Sequence, residues 1–256
     1  MADFWDAVWF AVSVTVPSIL LLLFGVALRR SGQVDAHFCM QASKLVFNYG
    51  LPCLLFVNLF GSEIHYGEQI LLLLAGAAAT LVLFFGAELY AWRFVPAARD
   101  KGVFVQGVFR SNLGIMGLAF VLNAYGSEGL AAGAVYTGVI TILFNVLAVI
   151  TLSRSGGSVW EKLRLVGWKI VTNPLIVAIV LALGMQALHI GVPKPLLQTA
   201  SYVGNISLPL ALICAGATFD VRSMLKMSDI SLQASIGRLL VAPLVAVATG
   251  LAFGLS

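Results

Sequence analysis

Arg110, Ser111 and Asn112 stand in a row inside the apolar run VQGVFRSNLGIMGLAF, residues 105–120. A cation beside an amide within a membrane segment suits one task above others, which is holding an anion. The guanidinium supplies a permanent charge and several N–H donors. An amide buried in lipid needs hydrogen-bond partners. Gly107, Gly114 and Gly117 surround the three polar residues and weaken a helix there. An interrupted helix turns free backbone N–H groups, and a positive N-terminal end, toward an anion. Arg110, Asn112 and such N–H groups together match a carboxylate. Plainer readings stand beside this one. If the span enters near residue 103, Arg110 lies roughly 10 Å below the surface and can snorkel to the interface. Gly114 and Gly117 can equally serve close packing of helices.

Other polar residues fall in apolar runs. Glu88 and Arg238 lie toward the same side of the membrane as Arg110, so a Glu88–Arg110 or Glu88–Arg238 pair is open, as a structural contact or as coupling charges. Asn48 and Asn205 precede repeated Leu-Pro pairs that contain Pro52 and Pro209, where helix breaks are expected. Each asparagine could cap the freed backbone or bond between helices, and Asn145 could face an anion cavity or do the same. Enzymatic chemistry finds no support. His37, His65 and His189 are scattered, and there is no HExxH, no intramembrane aspartate pair and no GxSxG turn. Cys39, Cys53 and Cys214 lack metal or disulfide spacing and read as small core residues. No cofactor or metal is implied, and no nucleotide motif suggests ATP as a driving force.

The elements that must position these residues are membrane helices. Apolar residues make up 60% of the 256 and charged residues 10%, against about 25% charged in a soluble domain. Eight apolar stretches, near 8–28, 43–60, 69–92, 103–123, 130–152, 172–189, 197–218 and 230–254, approach the length of about 20 residues that spans a bilayer. The first follows Asp3 and Asp6 rather than a basic leader, so it is expected to remain as a helix instead of being removed as a signal peptide. Alternate loops carry the cations: Arg29 and Arg30; Arg93, Arg99 and Lys101; Arg154, Lys162, Arg164 and Lys169; Arg222 and Lys226. The opposite loops carry Glu63, Glu68 and Glu128, with Lys194 the basic exception. The positive-inside rule then puts the N-terminus outside and the basic loops in the cytoplasm. It also accounts for the pI of 9.1 without nucleic acid, for which no basic soluble face exists.

An internal repeat organises the spans. VTVPSI (14–19) pairs with VTNPLI (171–176), and VFNYGLPCLL (46–55) with VGNISLPLAL (203–212). Pro17 and Pro174 stand 157 residues apart (174 − 17), as do Pro52 and Pro209 (209 − 52). Five spans separate the copies, an odd number, so they run in opposite directions. Such inverted repeats are typical of secondary transporters, whose sites lie near the midplane. The expected division is a first five-helix repeat over 1–153, a basic cytoplasmic linker over 154–171, and a second, incomplete repeat over 172–256. The offset places a partner of FRSNLG near residue ~267 and the end of the second repeat near ~310. The expected fold is therefore an all-α polytopic membrane protein with about eight of ten transmembrane helices.

Three stretches carry a resemblance. QGVFRSNLGIMGLAFVLNAYGSEG (106–129), the NPLIVAIVLALG…LPLALICAGATFD block (173–220) and LVFNYGLPCLLF (45–56) resemble the auxin efflux carrier family of bacterial permeases, which includes malonate-type permeases and is related to the plant PIN carriers. The resemblance implies a carrier of small organic anions in the bacterial inner membrane, with two inverted five-helix halves. The fourth and ninth helices are broken and cross at the substrate site. Helices one, two, six and seven form a scaffold that often dimerises, and the rest move as an elevator. Asn112, Gly114 and Gly117 then correspond to the fourth-helix break, with Arg110 just before it. GIMGLAF lacks the proline many members carry there, and the ninth and tenth helices lie beyond the sequence. Two other expectations remain open: a non-transporting membrane scaffold, and a sodium-coupled carrier of the bile-acid-symporter type.

Overall fold

The computed structural model describes residues 2–60, 66–152, 161, 164, 167, 168, 170–220 and 229–255. Glu63, His65, Arg154, Lys162, Lys169, Arg222 and Lys226, together with most of the 154–171 linker, lie outside the described residues, as do the side chains of Glu68 and Arg99. Helices account for nearly all of the rest, and no strand occurs among the described residues. This follows from the solvent: in hydrocarbon every backbone polar group must be satisfied within its own segment.

The helices are α1 (Ala2–Arg30), α2 (Ala36–Leu45), α3 (Leu51–Phe60), α4 (Tyr66–Phe94), α5 (Ala98–Phe109), α6 (Leu118–Leu152), α7 (Pro174–Ala187), α8 (Lys194–Ala217), α9 (Asp229–Ile236) and α10 (Ala242–Ala252). Six stretches among the described residues are long and apolar enough to cross a bilayer. One of them, Asp100–Thr151, has 52 residues, too many for a single crossing. Gly126 turns it with φ 65° and ψ −155°, a conformation open to a residue without Cβ. The expected sixth span is represented by the 14-residue α7, shorter than the others. The chain is an all-α polytopic membrane protein.

Helix ends follow their capping residues. Asp35 accepts from the Phe38 N–H at 2.6 Å and starts α2. Asn173 accepts from the Leu175 N–H at 2.9 Å, with Pro174 at the first position of α7. Gly32, His189 and Gly254, all at positive φ, close α1, α7 and α10. At each the following N–H reaches back to the last turn: Gln33 to Leu28, Ile190 to Met185 and Leu255 to Gly250.

Three five-residue π turns interrupt this regularity: Val46–Gly50, Leu113–Gly117 and Gly237–Val241. Two of them end two residues before a proline, Pro52 and Pro243. In α geometry a proline ring collides with the carbonyl four residues earlier. The wider i→i+5 turn moves that carbonyl aside and keeps the helix continuous. The expected break at Pro52 is therefore a widened turn leading into α3. At Pro209 no break occurs either, because α8 runs unbroken through it from Lys194 to Ala217. A single lost hydrogen bond is outweighed there by buried packing of Ser207, Leu208, Ala211 and Leu212.

The chain divides into two compact units. The first comprises 1–64, 112–138 and 172–219. Its core is built by α3, the start of α6, α7 and α8, with Leu51, Leu55, Leu59, Leu118, Leu130 and Leu212 fully buried. The second comprises 65–111, 139–171 and 220–256. At its centre Phe109 meets Phe84 and Phe144 edge-on, with ring centroids 5.4 and 5.7 Å away.

Candidate functional site

The fourth span is interrupted where the polar triplet falls. α5 ends at Phe109, Arg110 takes extended geometry (φ −82°, ψ 126°) and Asn112 leaves the helical region (φ −84°, ψ 72°). Helical structure resumes at Leu113 as a π turn that flows into α6. The Asn112 side chain caps this restart: its Oδ1 accepts from the Ile115 N–H at 3.3 Å, and its backbone carbonyl accepts from Gly117 at 3.0 Å. The Asn112 Nδ2 group and the N–H groups of Ser111 and Asn112 have no protein acceptor among the described residues. The Asn112 N–H, at the cap of the restarted helix, lies at the positive end of the helix dipole.

Gly114 and Gly117 lie past the interruption, inside the π turn. A Cβ at Gly114 would sit 3.6 Å from Leu175 Cδ1, and one at Gly117 3.5 Å from Leu113 Cδ2. These are ordinary contacts, so steric demand does not require either glycine. The Arg110 guanidinium is exposed and donates to Gln106 Oε1 at 3.4 Å. Among the described residues no carboxylate pairs with it, so a Glu88–Arg110 bridge is not formed.

Arg238 has a different place. From the π turn Gly237–Val241 its guanidinium donates to the carbonyls of Val108 and Phe109, each at 3.4 Å. These are last-turn carbonyls of α5, which lack partners within their helix. A cation there also complements the negative end of the helix dipole. Arg238 thus fastens the first half of the fourth span, α5, just before its interruption. Glu88 accepts a hydrogen bond from the Thr151 hydroxyl of α6. Asn145 is half-buried in α6. Asn48 is exposed in its π turn, and Asn205 is exposed on α8 with Nδ2 3.4 Å from Ser201 Oγ.

Two features escape a reading of the sequence. Asn123 of α6 donates to the Val14 carbonyl at 3.0 Å and to Ser18 Oγ at 3.3 Å on α1. It ties the start of α6, after the interruption, to the first helix and satisfies Ser18, which is 1% exposed. Its only sequence signal was an amide within an apolar run. The second feature is the crossing of α1 and α8. A Cβ on Gly25 would lie 2.8 Å from the Ile213 carbonyl carbon, and one on Gly216 2.7 Å from that of Leu22. The two backbones meet at this reciprocal pair, in the manner of small-residue membrane contacts.

Comparison with known proteins agrees with this architecture. The family described as "Membrane transport protein" matches residues 10–158 and 154–256. An "Uncharacterized transporter" of Methanothermobacter thermautotrophicus is 26% identical over 238 residues, which cover 91% of this chain and 76% of that protein. The family consists of membrane transport proteins rather than enzymes. An integral membrane chain of apolar helices, with one span interrupted at a polar triplet and matching along nearly its whole length, belongs to the auxin efflux carrier family of membrane transport proteins.

Proposed function

We propose that this transporter is a secondary carrier of small organic anions, with a carboxylate held at the interruption of the fourth span. The observation that carries the reading is the donor cluster at Ser111 and Asn112. Among the described residues, two backbone N–H groups and an amide Nδ2 lack protein acceptors at the start of a helix, one and two residues after Arg110. A carboxylate accepts several such bonds at once, and bonds to a charged partner are about twice as strong as neutral ones. Asn145, Glu88 and Arg238 are assigned supporting roles: Asn145 as a further polar contact, Glu88 as the group that answers the driving gradient, and Arg238 in holding α5. Movement is of the elevator kind between two inverted repeats, in a homodimer in the bacterial inner membrane. The N-terminus is outside, as the distribution of Arg and Lys among the loops suggests.

Titration of the detergent-solubilised chain with acetate, malonate and succinate tests the binding site. The unsubstituted protein should be stabilised by at least one of them. Asn112→Ala should weaken that binding about tenfold or more, since a hydrogen bond to a charged group contributes about 1.5–3 kcal/mol. Arg110→Ala should do the same with the unliganded melting temperature unchanged, whereas Asn112→Ala also loses the cap on Ile115 and should cost about 1 kcal/mol of stability without ligand. Binding that survives the double substitution would remove the anion from this place. A folded protein that binds none of the three would favour a non-transporting scaffold.

A further inference from the structure

We propose that the second unit carries a phospholipid site, in which a groove takes one acyl chain and Arg93 and Lys101 hold the phosphate. The groove lies among α4, α5, α9 and α10, with a volume of about 410 Å³. That size is typical of small-ligand pockets. Val82, Gly86 and Val245 line its apolar length, while Tyr90, Phe104 and Gln233 line its other end. The Tyr90 hydroxyl donates to Gln233 Oε1 at 3.4 Å, so the two polar side chains in the lining meet each other. From Val82 to Tyr90 is eight residues, about 12 Å along a helix. A dry groove of this length opening on a bilayer offers water too few partners to hold it, but it accommodates a hydrocarbon chain.

The polar end marks the depth of the headgroups. The Tyr90 ring packs on Phe104 at 5.2 Å and on Phe94 at 4.8 Å. Trp92 and Phe94 are exposed beside it, a typical interfacial aromatic cluster. Arg93 lies over the Phe94 ring at 5.2 Å, and Lys101 Nζ reaches the Trp92 carbonyl at 3.4 Å. Both cations therefore stand within one turn of the Tyr90 end of the groove. Asp100, in the first turn of α5, and Asp229, in the first turn of α9, are acceptors suited to the hydroxyl groups of a glycerol headgroup beside the phosphate. Basic pockets between helices on this side of a membrane bind anionic headgroups. Gly86 contributes space directly, because a Cβ there would meet nothing within 4 Å.

Native mass spectrometry of the full chain tests the site, using 1-palmitoyl-2-oleoyl-phosphatidylglycerol and the diacylglycerol with the same chains. The expected result is one phosphatidylglycerol retained per chain, about tenfold better than the diacylglycerol, from two cations near the phosphate. Arg93→Gln with Lys101→Gln should abolish that preference. Gly86→Phe should fill the groove and lower retention of both lipids about tenfold, by removing the buried chain. Val82→Trp is the second filling variant should Gly86→Phe fail to fold. Folded filling variants that retain lipid like the original protein would overturn the proposal, as would equal retention of the two lipids. Failure of the unsubstituted chain to retain either lipid would also overturn it and would mean that protein covers the groove. Disulfide-linked pairs of Gly86→Cys chains would identify that cover as a second copy.

Discussion

Replacing Gly25 by alanine tests the crossing of α1 and α8. The added methyl would fall inside the contact shell of the Ile213 carbonyl, 2.8 Å from its carbon and 3.0 Å from the Ala217 nitrogen. Carbon atoms rest at about 3.5–4.0 Å, so the two helices must part by roughly 1 Å. A gap of that size forfeits a quarter to a half of each dispersion contact along the seam. Overpacking of this kind costs about 1–3 kcal/mol, and a backbone obstacle belongs at the upper end because no side chain can rotate away. Alanine recovers up to about 1 kcal/mol of helix propensity, leaving a net loss of about 2 kcal/mol. The control is Gly184→Ala in α7, where a Cβ meets nothing within 4 Å; it should be neutral or slightly stabilising. Thermal unfolding in detergent, followed by circular dichroism, reads the difference. Gly216→Ala should match Gly25→Ala, and the double variant should fall short of the sum, since one opening of the seam serves both methyls. A Gly25→Ala protein as stable as the Gly184→Ala control would refute the close crossing.

Arg238→Ala should destabilise the second unit by about 1.5–3 kcal/mol, the worth of hydrogen bonds from a charged donor to the Val108 and Phe109 carbonyls. Lysine should restore part of this, as read from the melting temperature and from hydrogen exchange in α5. His189→Gly should stabilise the chain by about 1 kcal/mol, because His189 holds φ 54° at the end of α7, where a Cβ is unfavourable. Asn123→Leu should cost about 0.6–1.7 kcal/mol in a membrane environment. Its expected signature is faster hydrogen exchange at Val14 to Ser18, with α7 unaffected.

The transmembrane plan could be read from the sequence because lipid enforces a simple rule, that long apolar runs become helices. The interruption of the fourth span was legible for a related reason. Arg110, Ser111 and Asn112 are three consecutive polar side chains where hydrocarbon tolerates few. The glycines were a less reliable guide: Gly114 and Gly117 sit in ordinary contact, whereas Gly25 and Gly216 form the closest backbone approach among the described glycines. Which glycine faces another helix depends on rotation and crossing angle, and local sequence encodes neither. The prolines behaved similarly. Pro17 and Pro209 lie inside continuous helices, Pro174 opens one and Pro52 follows a π turn. A missing N–H weakens a helix everywhere, but packing decides whether the helix bends, widens or ends. Glu88 was visible as a charge within an apolar run, while its Thr151 partner, 63 residues away, required the fold.

Uptake of radiolabelled carboxylates into proteoliposomes bears most directly on the carrier reading. With a membrane potential imposed, the unsubstituted chain should accumulate at least one of acetate, malonate or succinate with saturation. Arg110→Ala with Asn112→Ala should reduce that uptake about tenfold or more, in proportion to the lost charged hydrogen bonds. Uptake by the double variant equal to that of the original chain, or no uptake of any carboxylate by correctly folded protein, would contradict the account.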